Sequence, residues 1–287
     1  MAPTDERVRV ADAVYLHVRR WPGSEVAAGG APTRTRPFLL VPGLSGNARL
    51  WDEVARELSA AGHPVHAVDP RSHGDSDAPP EGYDTGTAAE DLAALGVPGA
   101  IVVGHAWGGD VAVVLAAKHP EAAAALALVD GGWLDLTTEF ASWEDCEQAL
   151  RPPDIDGLPA EELRGYLRRG HPDWSGEAIE ATLGNMRIWP DGTLSRRVPV
   201  DRHMRIVRSM WDDPPQRYYP SVSVPVLLVP ALPTEHPQAR RARVDAAAAA
   251  LGDATVRPYL GADHDLHAQH PRELATDLLA LAARIDA

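Results

Sequence analysis

Residues 102–109 read Val-Val-Gly-His-Ala-Trp-Gly-Gly. Gly104-His105-Ala106-Trp107-Gly108 fits the pattern G-x-S-x-G at every position except the third, where alanine stands in place of serine. Small residues recur in this pattern because a strand must turn sharply into a helix, and glycines two before and two after the tip avoid clashes. A short apolar run precedes the turn here and a helical pattern follows it, so the motif has the context it requires. The chemistry served by such a turn is nucleophilic. A hydroxyl at the tip attacks a carbonyl, a histidine takes its proton, and a carboxylate orients the imidazole. Ala106 lacks that hydroxyl.

The remaining parts of such a machine have candidates. Of the 12 histidines, His264 follows the last strand directly, in Gly261-Ala262-Asp263-His264, and precedes the final helix. A loop at that edge of a sheet can bring an imidazole over the turn as base and then acid. A metal cluster of His264, His267 and His270 is disfavoured, because the spacing does not put all three on one helical face. Two carboxylates compete to orient the imidazole. Asp130 ends the strand after the turn's helix, and strand C-termini point at the site in such sheets. Glu235 lies in the loop after a later strand. Asp130 is favoured and Glu235 stays as the alternative. Backbone N–H groups of Trp107, just after the tip, and of Leu44, after Pro42-Gly43, are placed to receive a developing oxyanion. Ser45 could add a hydroxyl to substrate binding. Asp110, one helical turn beyond the tip, is expected to be structural.

These motifs resemble the α/β-hydrolase superfamily, in its cap-bearing serine hydrolase branch of esterases and lactonases. The likeness spans nearly the whole chain. Val41-Pro42-Gly43-Leu44 stands where the family has its oxyanion loop. Asp69-Pro70-Arg71-Ser72-His73-Gly74-Asp75-Ser76 is similar to the family's D-x-R-G-H-G-x-S, with Ser72 for a glycine, a change expected to matter only to local turn geometry. GHAWGG replaces a common GHSWGG. The resemblance implies a catalytic triad, with Ala106 at the nucleophile position, and no cofactor. Zearalenone-lactonase-like and cofactor-free dioxygenase-like branches place their acid after the earlier strand, which supports Asp130. Alanine is either this protein's own residue or an introduced replacement. The implied reaction is hydrolysis of an ester, lactone or thioester, with base catalysis by His264 and Asp130 (lyase, cyclase or oxygenase) or simple ligand binding as alternatives.

The elements that must position these residues alternate. An antiparallel hairpin is expected over 7–21, then a Pro- and Gly-rich connector over 22–36. Strands are expected at 38–41, 65–68, 100–103, 125–129, 224–229 and 255–259. Helices are expected at 48–61, 87–95, 109–118, 238–251 and 272–285. Continuous apolar strands between helices imply an α/β fold, a mostly parallel sheet flanked by helices. Residues 133–222 break the pattern. They look helical, show no obvious strand, and hold several tryptophans. The organisation expected is an α/β-hydrolase core of 1–132 and 223–287 with a helical cap of 133–222. Trp133, Trp143 and Trp189 of the cap are candidates to line an apolar pocket.

Composition sets outer bounds. The chain has 287 residues, 45% hydrophobic and 24% charged, with a net charge of −14. An acidic chain gains nothing from phosphate backbones, so nucleic acid is not an expected partner, and a small-molecule substrate is. A single cysteine, Cys146, and a charged N-terminus without an apolar core point to a cytoplasmic protein without disulfides. No run approaches the roughly 20 apolar residues of a membrane helix. Monomer and homodimer both remain open.

Overall fold

The computed structural model describes residues 2–23 and 35–286. Most of the expected connector over 22–36 lies outside them. An eight-stranded sheet is built from β1 (Thr4–Ala11), β2 (Val14–Trp21), β3 (Phe38–Val41), β4 (Val65–Val68), β5 (Ala100–His105), β6 (Ala123–Val129), and two later strands. Between β6 and those strands the chain forms α4 (Leu136–Glu139), α5 (Trp143–Leu150), α6 (Ala160–Gly170), α7 (Gly176–Leu183), a small hairpin of β7 (Met186–Ile188) and β8 (Leu194–Arg196), and α8 (Val200–Asp212). The earlier helices are α1 (Asp52–Ala60), α2 (Thr85–Ala94) and α3 (Trp107–Lys118). The chain ends with β9 (Val226–Val229), β10 (Ala231–Leu232), α9 (Gln238–Leu251), β11 (Ala254–Val256), β12 (Tyr259–Leu260), α10 (Leu266–Gln269) and α11 (Pro271–Ile285). The sheet order is β1-β2-β4-β3-β5-β6-β9-β11, and only the β1–β2 and β2–β4 pairings are antiparallel. This is the α/β-hydrolase fold, a mostly parallel sheet between helices.

The period of two along a strand divides the core. Ile101 and Val103 of β5 pack with α1 and α11, whereas Ala100 and Val102 face the side of α2 and α3. All four residues of β3 are buried, as expected for a strand covered on both faces. Burying each Leu- or Val-sized side chain contributes about 1.5–3 kcal/mol. That stiff platform matters for function because the chain leaves β3 toward β4 on one side, and β5 lies on the other. At such a switch point the loops after neighbouring strands splay apart and leave a crevice.

Three expectations need correction. Residues 133–222 contain a strand pair, β7–β8, whose three-residue strands are too short to show a period. The helix expected at 48–61 begins as a 3-10 turn, Ala48–Trp51, with Asn47 accepting the Arg49 N–H. The strand expected at 255–259 is two pieces. β11 pairs with β9 and β12 pairs with β10. Pro258, which has no N–H to offer a ladder, lies between them. Among the described residues no helix is long and apolar enough to cross a membrane.

Close approach of backbones fixes the crevice. A Cβ on Gly104 would lie 2.1 Å from the carbonyl oxygen of Gly108, and one on Gly131 would lie 2.1 Å from that of Ala106. Neither contact can be relieved by a side-chain rotation. Gly131→Ala is therefore expected to destabilise the fold by roughly 2 kcal/mol or more, toward the upper end for overpacking. Chemical denaturation would show this as a lower midpoint, and an unchanged midpoint would contradict the contact.

Candidate active site

The turn over Ala106 is set by its neighbours. Ala106 has φ 48° and ψ −120°, a conformation that L-residues avoid and that costs about 1–3 kcal/mol. Its N–H donates to the carbonyl of Val129 at 3.0 Å, and its carbonyl accepts from Gly109 at 2.9 Å. The backbone is thus tied to both β6 and α3. Its methyl group projects into a cavity of about 440 Å³.

His264 and Asp130 meet beside it. Nδ1 of His264 lies 2.6 Å from Oδ2 of Asp130, whose side chain is fully buried while the imidazole is 55% exposed. Asp130 sits at φ 44°, with its backbone N–H bonded to Val229. Its Oδ1 accepts the Ala231 N–H at 3.0 Å. This geometry makes Nδ1 the donor and leaves Nε2 toward the cavity. Burial pulls the imidazole's pKa down, but the hydrogen bond and charge of Asp130, with help from Asp265, outweigh it and hold it above the ordinary value. Glu235 is exposed in the loop before α9 and has no hydrogen bond to His264 among the described residues.

Leu44 and Trp107 both line the cavity. Trp107 is the first residue of α3, so its N–H has no intrahelical acceptor by position. The Leu44 loop is held from behind. Ser45, at φ 66°, donates its N–H to Nε2 of His73 at 3.0 Å. His73 donates from Nδ1 to the Arg71 carbonyl at 2.8 Å and stacks on Trp107. Burial pushes His73 down to about 4, so it stays neutral with Nε2 as acceptor. The Ser45 hydroxyl lies 3.0 Å from Nδ1 of His203. His203 in turn donates to the Leu150 carbonyl at 3.2 Å, which makes the serine a donor to His203.

The tryptophans are not where the sequence pattern put them. Trp133, Trp143 and Trp189 are absent from the cavity lining, where Leu134, Leu136, Leu150, Val207 and Met210 supply aliphatic surface. Trp133 packs in the main core. Trp143 stands edge-on to Trp211 with Arg208 over its ring. Trp189 is 44% exposed. Among the described tryptophans, only Trp143 and Trp211 pack ring against ring with each other.

Several residues went unread in the sequence. Arg240 of α9 places Nη2 2.6 Å from Oδ2 of Asp130, the same oxygen that His264 uses. Nothing in the run Gln238-Ala-Arg-Arg-Ala-Arg distinguishes it from its neighbours. His73 lies inside a motif that was legible, although its role behind Ser45 was not. Asp110 accepts the Gly132 N–H at 3.1 Å, and burial pushes its carboxyl well above the usual range. That fits the structural part expected of it. The histidines close together are not the 264, 267 and 270 set. His105, Asp265 and His267 offer ligand atoms within 4.8 Å of one another. His105, however, already directs Nε2 at the His264 carbonyl, 3.0 Å away.

The profile of the α/β hydrolase fold family matches residues 36–188, more than half of the chain. The chain belongs to this family. A non-heme chloroperoxidase of Streptomyces lividans is 28% identical over 253 residues, covering 80% of this chain and 85% of that one. A haloperoxidase-like protein of Mycobacterium phage D29 is 35% identical over 98 residues, 33% of this chain and 35% of its own length. The chain thus spans about a third of that relative. Among solved structures, E-2-(acetamidomethylene)succinate hydrolase superposes with a TM-score of 0.76 at 23% identity, over 99% of this chain and 100% of that one. Proteins similar to this chain thus include both haloperoxidases and a hydrolase.

Two opposed charges meet at the shared oxygen of Asp130 and set the basicity of His264. The Arg240 guanidinium opposes protonation of the imidazole, so Arg240→Gln raises its pKa. Asp130→Asn removes the stronger, opposite influence and lowers it. NMR titration of the histidine ring protons reads both, and a fall in Arg240→Gln would contradict the assignment. Because the folded pKa is raised, the pair's contribution to stability is fully present below about pH 6.5 and is lost as pH rises through the folded value.

Proposed function

We propose that this chain is the scaffold of a serine hydrolase with its nucleophile position filled by Ala106. The single observation that carries the reading is the strained turn at Ala106 beside a bonded His264–Asp130 pair, with a cavity above both. In the serine form, Ala106→Ser, the hydroxyl would attack the carbonyl of an ester, lactone or thioester. His264 would take its proton and return it to the leaving group, with Asp130 holding the imidazole. The N–H groups of Leu44 and Trp107 would hold the oxyanion. Residues 133–222 would act as a cap over the core of 1–132 and 223–287. Leu134, Leu136, Leu150, Val207 and Met210 in the lining suit an apolar group over Ala106. The protein acts on a small molecule, in the cytoplasm, without a cofactor.

A second reading follows from the same pair. His264 and Asp130 need no serine to deprotonate a bound substrate, which would give a lyase, cyclase or cofactor-free oxygenase. The similarity to a chloroperoxidase is compatible with either reading.

Parallel assays of p-nitrophenyl esters and lactones by this chain and by Ala106→Ser separate the two. The first reading expects turnover to rise by several orders of magnitude, up to about a millionfold, and to collapse again when His264→Ala is added. Turnover by the alanine form that is lost in His264→Ala would instead support base catalysis. A folded Ala106→Ser protein inert toward the whole panel would contradict the hydrolase reading.

A further inference from the structure

A second cavity, of about 260 Å³, opens at the seam between the insertion and the core. Its walls are the loop after β4, the β7–β8 hairpin and the start of α8. Among the described residues, four arginines line it, Arg187, Arg196, Arg197 and Arg202, and no carboxylate does. In a chain of net charge −14 this is a local inversion of sign. Arg197 is engaged by Asp75 at 2.9 Å. Among the described residues, Arg187, Arg196 and Arg202 form no ion pair. Arg187 lies over the Trp189 ring and Arg202 over that of Tyr83, so aromatic faces hold both guanidiniums in place. Nε of Arg196 is buried without a hydrogen-bond partner, although the Arg196 backbone N–H is taken by Asp156.

Ser72 adds a separate observation. It has φ 67°, where glycine is unstrained and serine is not. Its hydroxyl accepts from Nη1 of Arg202 at 3.1 Å. The departure from glycine therefore places a hydroxyl inside the arginine pocket and is more than a detail of turn geometry. Pro199, the N-cap residue of α8, also lines the pocket, and no side chain caps the helix there.

We propose that this pocket binds a phosphate, carried by a small anionic ligand. The site stands on its own observations and does not depend on the chemistry at Ala106.

Calorimetric titration of the chain with inorganic pyrophosphate tests the site without any turnover. Saturable binding is expected at a Kd on the order of 1 mM or tighter, weakened about tenfold in Arg187→Ala and in Arg202→Ala, since a charge-assisted hydrogen bond is worth about 1.5–3 kcal/mol. Arg168→Ala, an exposed arginine of α6, should change nothing. No saturable binding, or equal binding in all variants, would overturn the site. The result does not depend on whether Ala106→Ser is active.

Discussion

The site depends on one constraint, a backbone forced through positive φ at the end of β5. Ala106 holds that conformation because β6, α3 and Gly131 press on it from three sides. The same contacts aim position 106 at the cavity and leave the Trp107 N–H without an intrahelical acceptor. Strain of this kind persists only where the surroundings over-determine it.

Charge around the base is set by opposed partners. Asp130 is buried, so its ionised form needs compensation, and its carboxylate receives one backbone N–H, one imidazole and one guanidinium. Sharing Oδ2 between His264 and Arg240 makes the base's strength a balance of two influences. Behind the Leu44–Ser45 loop, His73 does the reverse. It is kept neutral by burial so that it can accept from Ser45.

The local features were legible in the sequence. Gly104, Gly108 and the flanking apolar run announced the turn, and the positions of His264 and Asp130 after strands brought them to one edge of the sheet. Non-local features were not legible. Arg240 reaches Asp130 across 110 residues of chain, and its own helix gives no sign of it. The tryptophans misled because ring size suggests a ligand wall, while the insertion used Trp143 and Trp211 to pack against each other. Strands of three residues, β7 and β8, carry no readable period, and Pro258 divided a strand that read as continuous.

The central claim is that position 106 is poised for nucleophilic attack and lacks only an oxygen. Its most direct test is intact-mass analysis of Ala106→Ser after exposure to a small alkyl fluorophosphonate. One adduct is expected, located on the introduced serine and formed far more slowly when His264→Ala is added. A folded Ala106→Ser protein that stays unlabelled, or labels equally without His264, would contradict the claim.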